Sequence, residues 1–257
     1  MSQSAFATYP SLANKVVLIT GGGQGIGASS VEHFTLQGSR VVFLDIADKP
    51  SETLVRNLAP RGAYPPHYLH CDLTDTSALQ SAIAEISRTL GPPHVLINNA
   101  ANDDRHRSEE VTQADWDQRM AVNLRHQFFA AQAVAPAMKS AGAGSIVNMS
   151  SIAWIIPSQN AAVYNMAKAG VVAMTRSLAH ELGPFNIRVN AILPGSVLTE
   201  KQQRLYMTAE YEQHLMQVQS IKRHVLPADV ARLMLFLAAD DSSAITNQSH
   251  IIDAGWI

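Results

Sequence analysis

The sequence predicts an α/β protein built on an open, doubly wound parallel sheet with helices on both faces. Three observations carry this. Short β-branched runs alternate with longer helix-compatible segments, the pattern of successive βαβ units. The runs themselves, such as Lys15–Thr20 and Ser145–Met149, are apolar without alternation, as expected when both faces of a strand are covered. No internal repeat and no Gly/Ser- or Pro-rich linker divides the 257 residues, a length that one-domain α/β architectures reach. A single domain over 1–257 is therefore expected. The polar stretch Thr199–Lys222 reads as an inserted pair of short helices, so that a segment at about 196–222 lies beside the sheet's carboxyl edge as a lid.

Taken in order, the expected strands are Val16–Thr20, Arg40–Leu44, His67–His70, His94–Asn98, Ser145–Met149 and Ile187–Ala191, each leading into a helical pattern. The Ala- and Leu-rich segments Ser77–Leu90, Ala121–Lys139 and Ala161–Leu182 have helix length, and Gly91, Gly142 and Gly183 sit where C-terminal caps belong.

Composition narrows the function. A hydrophobic fraction of 47% with 16% charged residues supports a large continuous core. The net charge of -2, without a basic block, removes the electrostatic reason to expect nucleic acid or a membrane surface, and favours a small-molecule partner. Cys71 is the single cysteine, so no intrachain disulfide can form. Met1–Leu12 has neither a basic start nor an apolar run, and no later stretch is apolar for long enough to span a bilayer. A cytoplasmic protein is expected. His67, His70 and Cys71 suggest zinc, but strand alternation separates them and no second ligand pair follows, so no metal is expected.

Between the first strand and the first helix stands Thr20-Gly-Gly-Gly-Gln-Gly-Ile-Gly27. Glycines in that place let the backbone turn sharply and approach a pyrophosphate, and the free N–H groups of the helix N-terminus favour its charge. A glycine-rich turn alone is weak evidence; its position in a βαβ unit makes it a dinucleotide site of the Rossmann type, with Gly21, Gln24, Gly25, Ile26 and Gly27 against the cofactor. Asp45 follows about 20 residues on, where a carboxylate accepts from the adenosine ribose hydroxyls and repels a 2′-phosphate. NAD is favoured over NADP, while Lys49 keeps NADP open and Asp45 could equally cap the following turn.

In Tyr164-Asn-Met-Ala-Lys168 the helical spacing puts both side chains on one face. A nearby ammonium stabilises a phenolate and moves a group with pKa about 10 towards the working range of a general base. Such a pair is usually a surface pair. Ser151, just beyond a strand's carboxyl end where ligands of parallel sheets bind, raises it to a catalytic candidate.

At this point the chain resembles the short-chain dehydrogenase/reductases over almost its whole length. The glycine turn, Asp72, Asn98-Asn99-Ala100, Asn123, Ser151, Tyr164, Lys168, and Pro194-Gly195 with Thr199 fall in that family's order. The resemblance implies Tyr164 as acid/base, Lys168 lowering its pKa and binding the nicotinamide ribose, Ser151 orienting the substrate oxygen, and Asn123 supporting a proton relay. It also implies Asp72 and Leu73 at the adenine, Asn99 and Ala100 on the cofactor floor, and Pro194, Gly195, Val197 and Thr199 at the nicotinamide. Ala101 departs from the family's usual glycine. A homotetramer is implied as well, with the helices 121–139 and 161–182 meeting their copies.

The polar run Asn102-Asp-Asp-Arg-His-Arg107, with Trp154 near Ser151, suits a sugar better than a steroid or acyl chain, because hydroxyls need paired donors and acceptors while ring C–H faces pack on an aromatic. Asn102, Arg105, Ser151, Trp154 and Tyr164 are the expected substrate contacts. Asn102–His106, Asn123-Leu-Arg-His126 and Ile252-Asp-Ala-Gly-Trp256 resemble the NAD-dependent, D-xylose-type aldose 1-dehydrogenases. That implies oxidation of the C1 hydroxyl of a pentose or 6-deoxyhexose to the lactone. A 3-deoxy-2-keto sugar acid, another secondary alcohol, or reduction of an acyl or ketone group remain alternatives, and a protein that kept the fold without catalysis would show a damaged Tyr–Lys–Ser set.

Overall fold

The structure, a computed structural model, describes residues 6–257, so the first five residues of the stretch Met1–Leu12 lie outside it. The chain runs β1 (Val16–Thr20), α1 (Gly25–Leu36), β2 (Arg40–Asp45), α2 (Asp48–Leu58), β3 (His67–His70), α3 (Thr76–Thr89) and β4 (Val95–Asn98). It continues with α4 (Gln113–Met120), α5 (His126–Ala141), β5 (Gly144–Met149), α6 (Ala162–Leu182), β6 (Ile187–Pro194), α7 (Glu200–Leu205), α8 (Ala209–Val218), α9 (Pro227–Ala238) and β7 (Ser249–Ile252). The strands form one 7-stranded sheet in the order β3-β2-β1-β4-β5-β6-β7. Every pairing is parallel.

The absence of alternation in the strands has a direct packing cause. On one face Val17, Ile19, Val41, Phe43, Val95 and Ile97 bury against Val31 and Phe34 of α1 and Val230, Met234 and Leu237 of α9. On the other, Val16, Leu18, Val42, Leu44, Leu96 and Ile146 bury against Leu79, Ile83 and Ile86 of α3, Val134 and Met138 of α5, and Leu178 and Leu182 of α6. Successive residues serve opposite cores, so both must be apolar. Each such side chain contributes about 1.5–3 kcal/mol when fully buried.

Four expectations change. A seventh strand, β7, closes one edge of the sheet; its Ser249-His-Ile-Ile run is half exposed and mixed in polarity, and so carries no strand pattern of its own. β6 extends three residues further than expected, to Pro194, which needs no ladder N–H at a strand end. The helix expected from Ala121 begins at Gln113, where Thr112 and Asp115 form a capping box, and passes through a π-turn over Ala121–Arg125 into α5. Gly183 stays helical at φ -54, and the left-handed residue that ends α6's C-terminal extension is Asn186, whereas Gly142 does cap α5 at φ 64. The polar insertion is the expected pair of short helices, α7 and α8, capped by the Thr199 and Thr208 hydroxyls.

Candidate active site

Strand order reverses between β1 and β4, and the carboxyl ends of the strands there open into a cavity of about 1290 Å³. Its lower half is made largely of backbone. Gly21, at φ +66, donates its N–H to Leu44 O at 2.7 Å, and a Cβ there would sit 2.7 Å from the Ala100 Cα. A Cβ on Gly27 would lie 1.8 Å from Gly21 O and 2.7 Å from Asn99 Nδ2. The turn therefore closes directly on the start of α1, leaving room only for hydrogen at the two ends. Asn99 Nδ2 donates to Thr20 O at 3.1 Å and to Gly21 O at 2.8 Å, while the Asn99 and Ala100 N–H groups reach Thr20 Oγ1.

Asp45 ends β2 and faces the same cavity. Its Oδ2 accepts from Gly23 N at 2.8 Å and its Oδ1 from Ala47 N at 2.9 Å, so the carboxylate is held in a fixed orientation while each oxygen keeps a further lone pair. Asp72 is pinned by Thr74, whose N–H and hydroxyl both donate to its Oδ1. Gln24, Gly25, Ile26, Leu73, Pro194, Gly195, Val197 and Thr199 line the cavity with them. A glycine cradle that any side chain would fill, at a helix N-terminus with an anchored carboxylate beyond, fits the diphosphate and ribose of a nicotinamide dinucleotide.

The upper half is made of side chains. Tyr164 and Lys168 lie one turn apart on α6, with the Lys168 ammonium 5.6 Å from the centre of the Tyr164 ring and donating to Met149 O at 2.8 Å. Ser151, just past β5, lines the same cavity as the Tyr164 phenol, its hydroxyl accepting from Ala153 N at 3.1 Å. Burial pushes Tyr164 up to about 12; Asp103 adds to this, while Ser151 and Arg105 oppose it. Burial also pulls Lys168 down to about 7, with Asp103 opposing. Desolvation is thus the largest influence on both groups in the protein without its cofactor.

Asn123 is fully buried in the π-turn and stands behind the cavity wall. Its Oδ1 accepts from Asn102 N at 2.9 Å, and its Nδ2 donates to Asn102 O and Arg119 O, both at 3.0 Å. It thus clasps the backbone of the loop that follows β4. The same loop is fastened to α6 by His106, whose Nε2 accepts from Val163 N at 3.1 Å and whose N–H donates to Asn160 O at 2.8 Å.

The comparisons with known proteins bear on this geometry. Residues 21–257 match the family model described as "Enoyl-(Acyl carrier protein) reductase". D-xylose 1-dehydrogenase of Caulobacter vibrioides (strain NA1000 / CB15N) is 48% identical over 250 residues, covering 97% of this chain and 98% of that one. The chain belongs to the short-chain dehydrogenase/reductase family. A Rhizobium meliloti (strain 1021) protein named "Probable galactose dehydrogenase GalD" is also 48% identical, over 96% of each chain. Among solved structures, a short-chain dehydrogenase/reductase from Serratia marcescens BCRC 10948 superposes with a TM-score of 0.88 at 32% identity, over 96% of this chain and 99% of that one.

In this short-chain dehydrogenase/reductase the structure gathers the sequence-predicted residues Gly21, Gln24, Gly25, Ile26, Gly27, Asp45, Asp72, Leu73, Asn99, Ala100, Asn102, Arg105, Ser151, Tyr164, Lys168, Pro194, Gly195, Val197 and Thr199 around one cavity. Trp154 is not among them. It follows Ser151 on a short 3-10 turn that carries its ring outward, and the tryptophan that does line the cavity is Trp256, set edge-on to His214 at 5.9 Å. Further charged residues line the cavity, among them Asp103 of the polar run and Lys201 from α7, whose Nζ lies 2.8 Å from Asp103 Oδ1 and 2.8 Å from Asp104 Oδ1. Arg105 stacks over the Tyr206 ring at 5.5 Å. These contacts join the inserted helices to the β4 loop.

Proposed function

We propose that the protein is an NAD-dependent aldose 1-dehydrogenase that oxidises the C1 hydroxyl of a pyranose, of the D-xylose or D-galactose type, to the lactone. The observation that carries this reading is the Ser151–Tyr164 pair facing a rim of charged and polar side chains, Asn102, Asp103, Arg105 and Lys201. A rim of paired donors and acceptors satisfies a ring of hydroxyls and leaves an acyl chain unmatched. The 48% identity to proteins named for D-xylose and galactose supports the same class.

NAD, when bound in the glycine cradle, supplies the hydride acceptor. Ser151 holds the C1 oxygen, and Tyr164 takes the hydroxyl proton as the C1 hydride leaves, so that one C–H and one O–H bond break and a C=O bond forms. Lys168 holds a positive charge beside the phenolate, and its ammonium anchors the ribose. Asn123 keeps the loop under the substrate in register and, by the family's pattern, supports the proton's exit. Asp45 selects NAD, since a 2′-phosphate would meet a carboxylate already oriented by two N–H groups.

A homotetramer follows the same reading: Trp116 on α4, Phe128 on α5 and Met166 on α6 expose 39%, 41% and 46% of their surface, an apolar area suited to pairing with a second copy. The lone buried Cys71 suits a reducing cytoplasm, and no helix among the described residues is long and apolar enough to cross a membrane. The insertion at 196–222 acts as a lid.

The test is NADH formation by purified protein with D-xylose, D-galactose, L-arabinose, L-fucose and a 3-deoxy-2-keto sugar acid, using NAD and NADP separately. Turnover of a neutral aldose with NAD is expected. Turnover of the sugar acid alone would move the function to the sugar-acid alternative, and activity confined to NADPH-driven ketone reduction would replace it with a reductase.

A further inference from the structure

Asp103 and Lys201 are far apart in the chain yet meet in the cavity that holds Tyr164. Lys201 Nζ also donates to Asn102 Oδ1 at 3.2 Å, so a single ammonium from α7 gathers three groups of the β4 loop. The two carboxylates are not equivalent. Asp104 is engaged at both oxygens, Oδ1 by Lys201 and Oδ2 by Asn102 Nδ2 at 3.0 Å. Asp103 is engaged through Oδ1 alone among the contacts of the described residues, which leaves Oδ2 able to accept. Asp103 lines the same cavity as Tyr164 and Lys168, and its negative charge holds both of their pKa values up.

We propose that Asp103, held in place by Lys201, accepts a hydrogen bond from the C2 hydroxyl of the sugar and makes that hydroxyl a requirement of the site. This rests on the aldose reading above. With O1 at Ser151 and Tyr164, the neighbours of the anomeric carbon are the ring oxygen, which has no proton, and C2–OH, which has one. A carboxylate only accepts, so of the two it pairs with C2–OH. Lys201 serves as the positioning residue: with one oxygen fixed by the ammonium, the second has a defined direction. Since Lys201 belongs to the insertion, recognition of C2–OH requires α7 to be seated on the β4 loop.

The experiment compares kcat/KM for D-galactose and 2-deoxy-D-galactose, with D-xylose and its 2-deoxy counterpart as a second pair, in wild type, Asp103→Ala, Asp103→Asn and Lys201→Met. A charge-assisted bond of this kind predicts a preference of about 10- to 100-fold for the 2-hydroxy sugar in wild type. Asp103→Ala is expected to bring the ratio to within about threefold, mostly through loss on the 2-hydroxy sugar, and Asp103→Asn, which keeps an acceptor, to retain part of it. Lys201→Met is expected to weaken the preference through KM. Asp103 and Lys201 are more than a third exposed, so the variants fold, and an unchanged NAD dissociation constant verifies this.

A further readout is the pH profile of kcat/KM, whose limb moves to lower pH in Asp103→Ala, because the carboxylate holds both Tyr164 and Lys168 up. If Asp103→Ala lowers both sugars of a pair by the same factor, Asp103 is only a strut and the proposal fails. The same conclusion follows if wild type turns over both sugars equally. Wild type that turns over no neutral aldose overturns the aldose reading itself, and this inference with it.

Discussion

His126 opens α5, and its burial makes a measurable claim about acid stability. The side chain is 1% exposed, and neither ring nitrogen has a hydrogen-bond partner of good geometry among the described residues. Burial, with the Lys168 charge in second place, pulls its pKa down to about 3; the backbone around Ala121 and Val122 offsets only part of this. The ordinary histidine value is about 6.5. Between those two values the unfolded chain carries a proton at this residue and the folded chain does not, so stability falls as pH falls through 6.5 and continues to fall towards 3. The slope for one proton is about 1.4 kcal/mol per pH unit. From pH 7 to pH 5 this single side chain therefore removes about 2 kcal/mol, which at this chain length lowers Tm by roughly 4–8 °C. The comparison is between wild type and His126→Leu, by thermal unfolding at pH 7, 6 and 5. Burial also lowers the pKa of His94 and His250, and both stay in each protein, so only the difference in slope between the two proteins tests His126. The leucine variant should lose less Tm on acidification than wild type by the amount given. Parallel slopes would show that His126 is not held neutral, and that the burial argument behind the Lys168 and Tyr164 shifts is unsound as well.

Tyr164→Phe should lower turnover by about 10²-fold or more at unchanged NAD affinity, as measured by initial rates and by titration of bound cofactor. Because burial holds the Tyr164 phenol up, oxidation by wild type should accelerate as pH rises above neutrality while the reverse reduction slows; a flat profile in both directions would remove Tyr164 as the proton carrier. Asp45→Ala should admit NADP and also cost about 1–2 kcal/mol of stability, since Gly23 N and Ala47 N lose their acceptor; continued rejection of NADP would mean that something other than charge sets the choice. Gly27→Ala should cost about 1–3 kcal/mol or more and weaken cofactor binding, because its Cβ meets the Gly21 carbonyl. Gly183→Ala, with nothing within 4 Å and helical φ, should be neutral or stabilising by up to about 1 kcal/mol, and equal losses in the two variants would contradict the packing account.

The features legible in the sequence are those set by local backbone constraint. Glycines at Gly21 and Gly27 announce a turn that closes on a helix, Asp45 marks the end of β2, and Tyr164 and Lys168 share a face because a helix repeats. The doubly covered strands follow from apolar runs without alternation, for the packing reason that both cores demand them. What escaped depends on tertiary approach. Nothing local tells Lys201 that it will meet Asp103, or tells His106 that its ring will accept from the first turn of α6. The π-turn at Ala121–Arg125 shows no break in composition, so nothing in the sequence separates the helical stretch after it from the one that begins at Gln113. Trp154 is near Ser151 in sequence, but the short turn between them carries it away from the cavity, and Trp256 lines it instead.

These two kinds of residue divide the cavity, and the division has a chemical logic. The cofactor half is bounded by main-chain N–H groups, carbonyls and absent side chains, so its shape is fixed by the turn itself and survives substitutions elsewhere. The substrate half is made of side chains, from α6 and the end of β5 as well as from the β4 loop and the inserted helices, and its rim depends on how that loop is held. Asn123 is where the halves meet. Both its amide groups are engaged on the backbone of Asn102 and Arg119, so Asp103 is positioned from below by a buried asparagine and from above by the Lys201 ammonium. A buried amide clasp of this kind is costly to leave half made, because Asn102 N and O would then lack partners. The clasp can therefore stay constant while the residues it presents change. In this chain the clasp presents the Asp103 carboxylate, which the Lys201 ammonium of α7 meets from the other side.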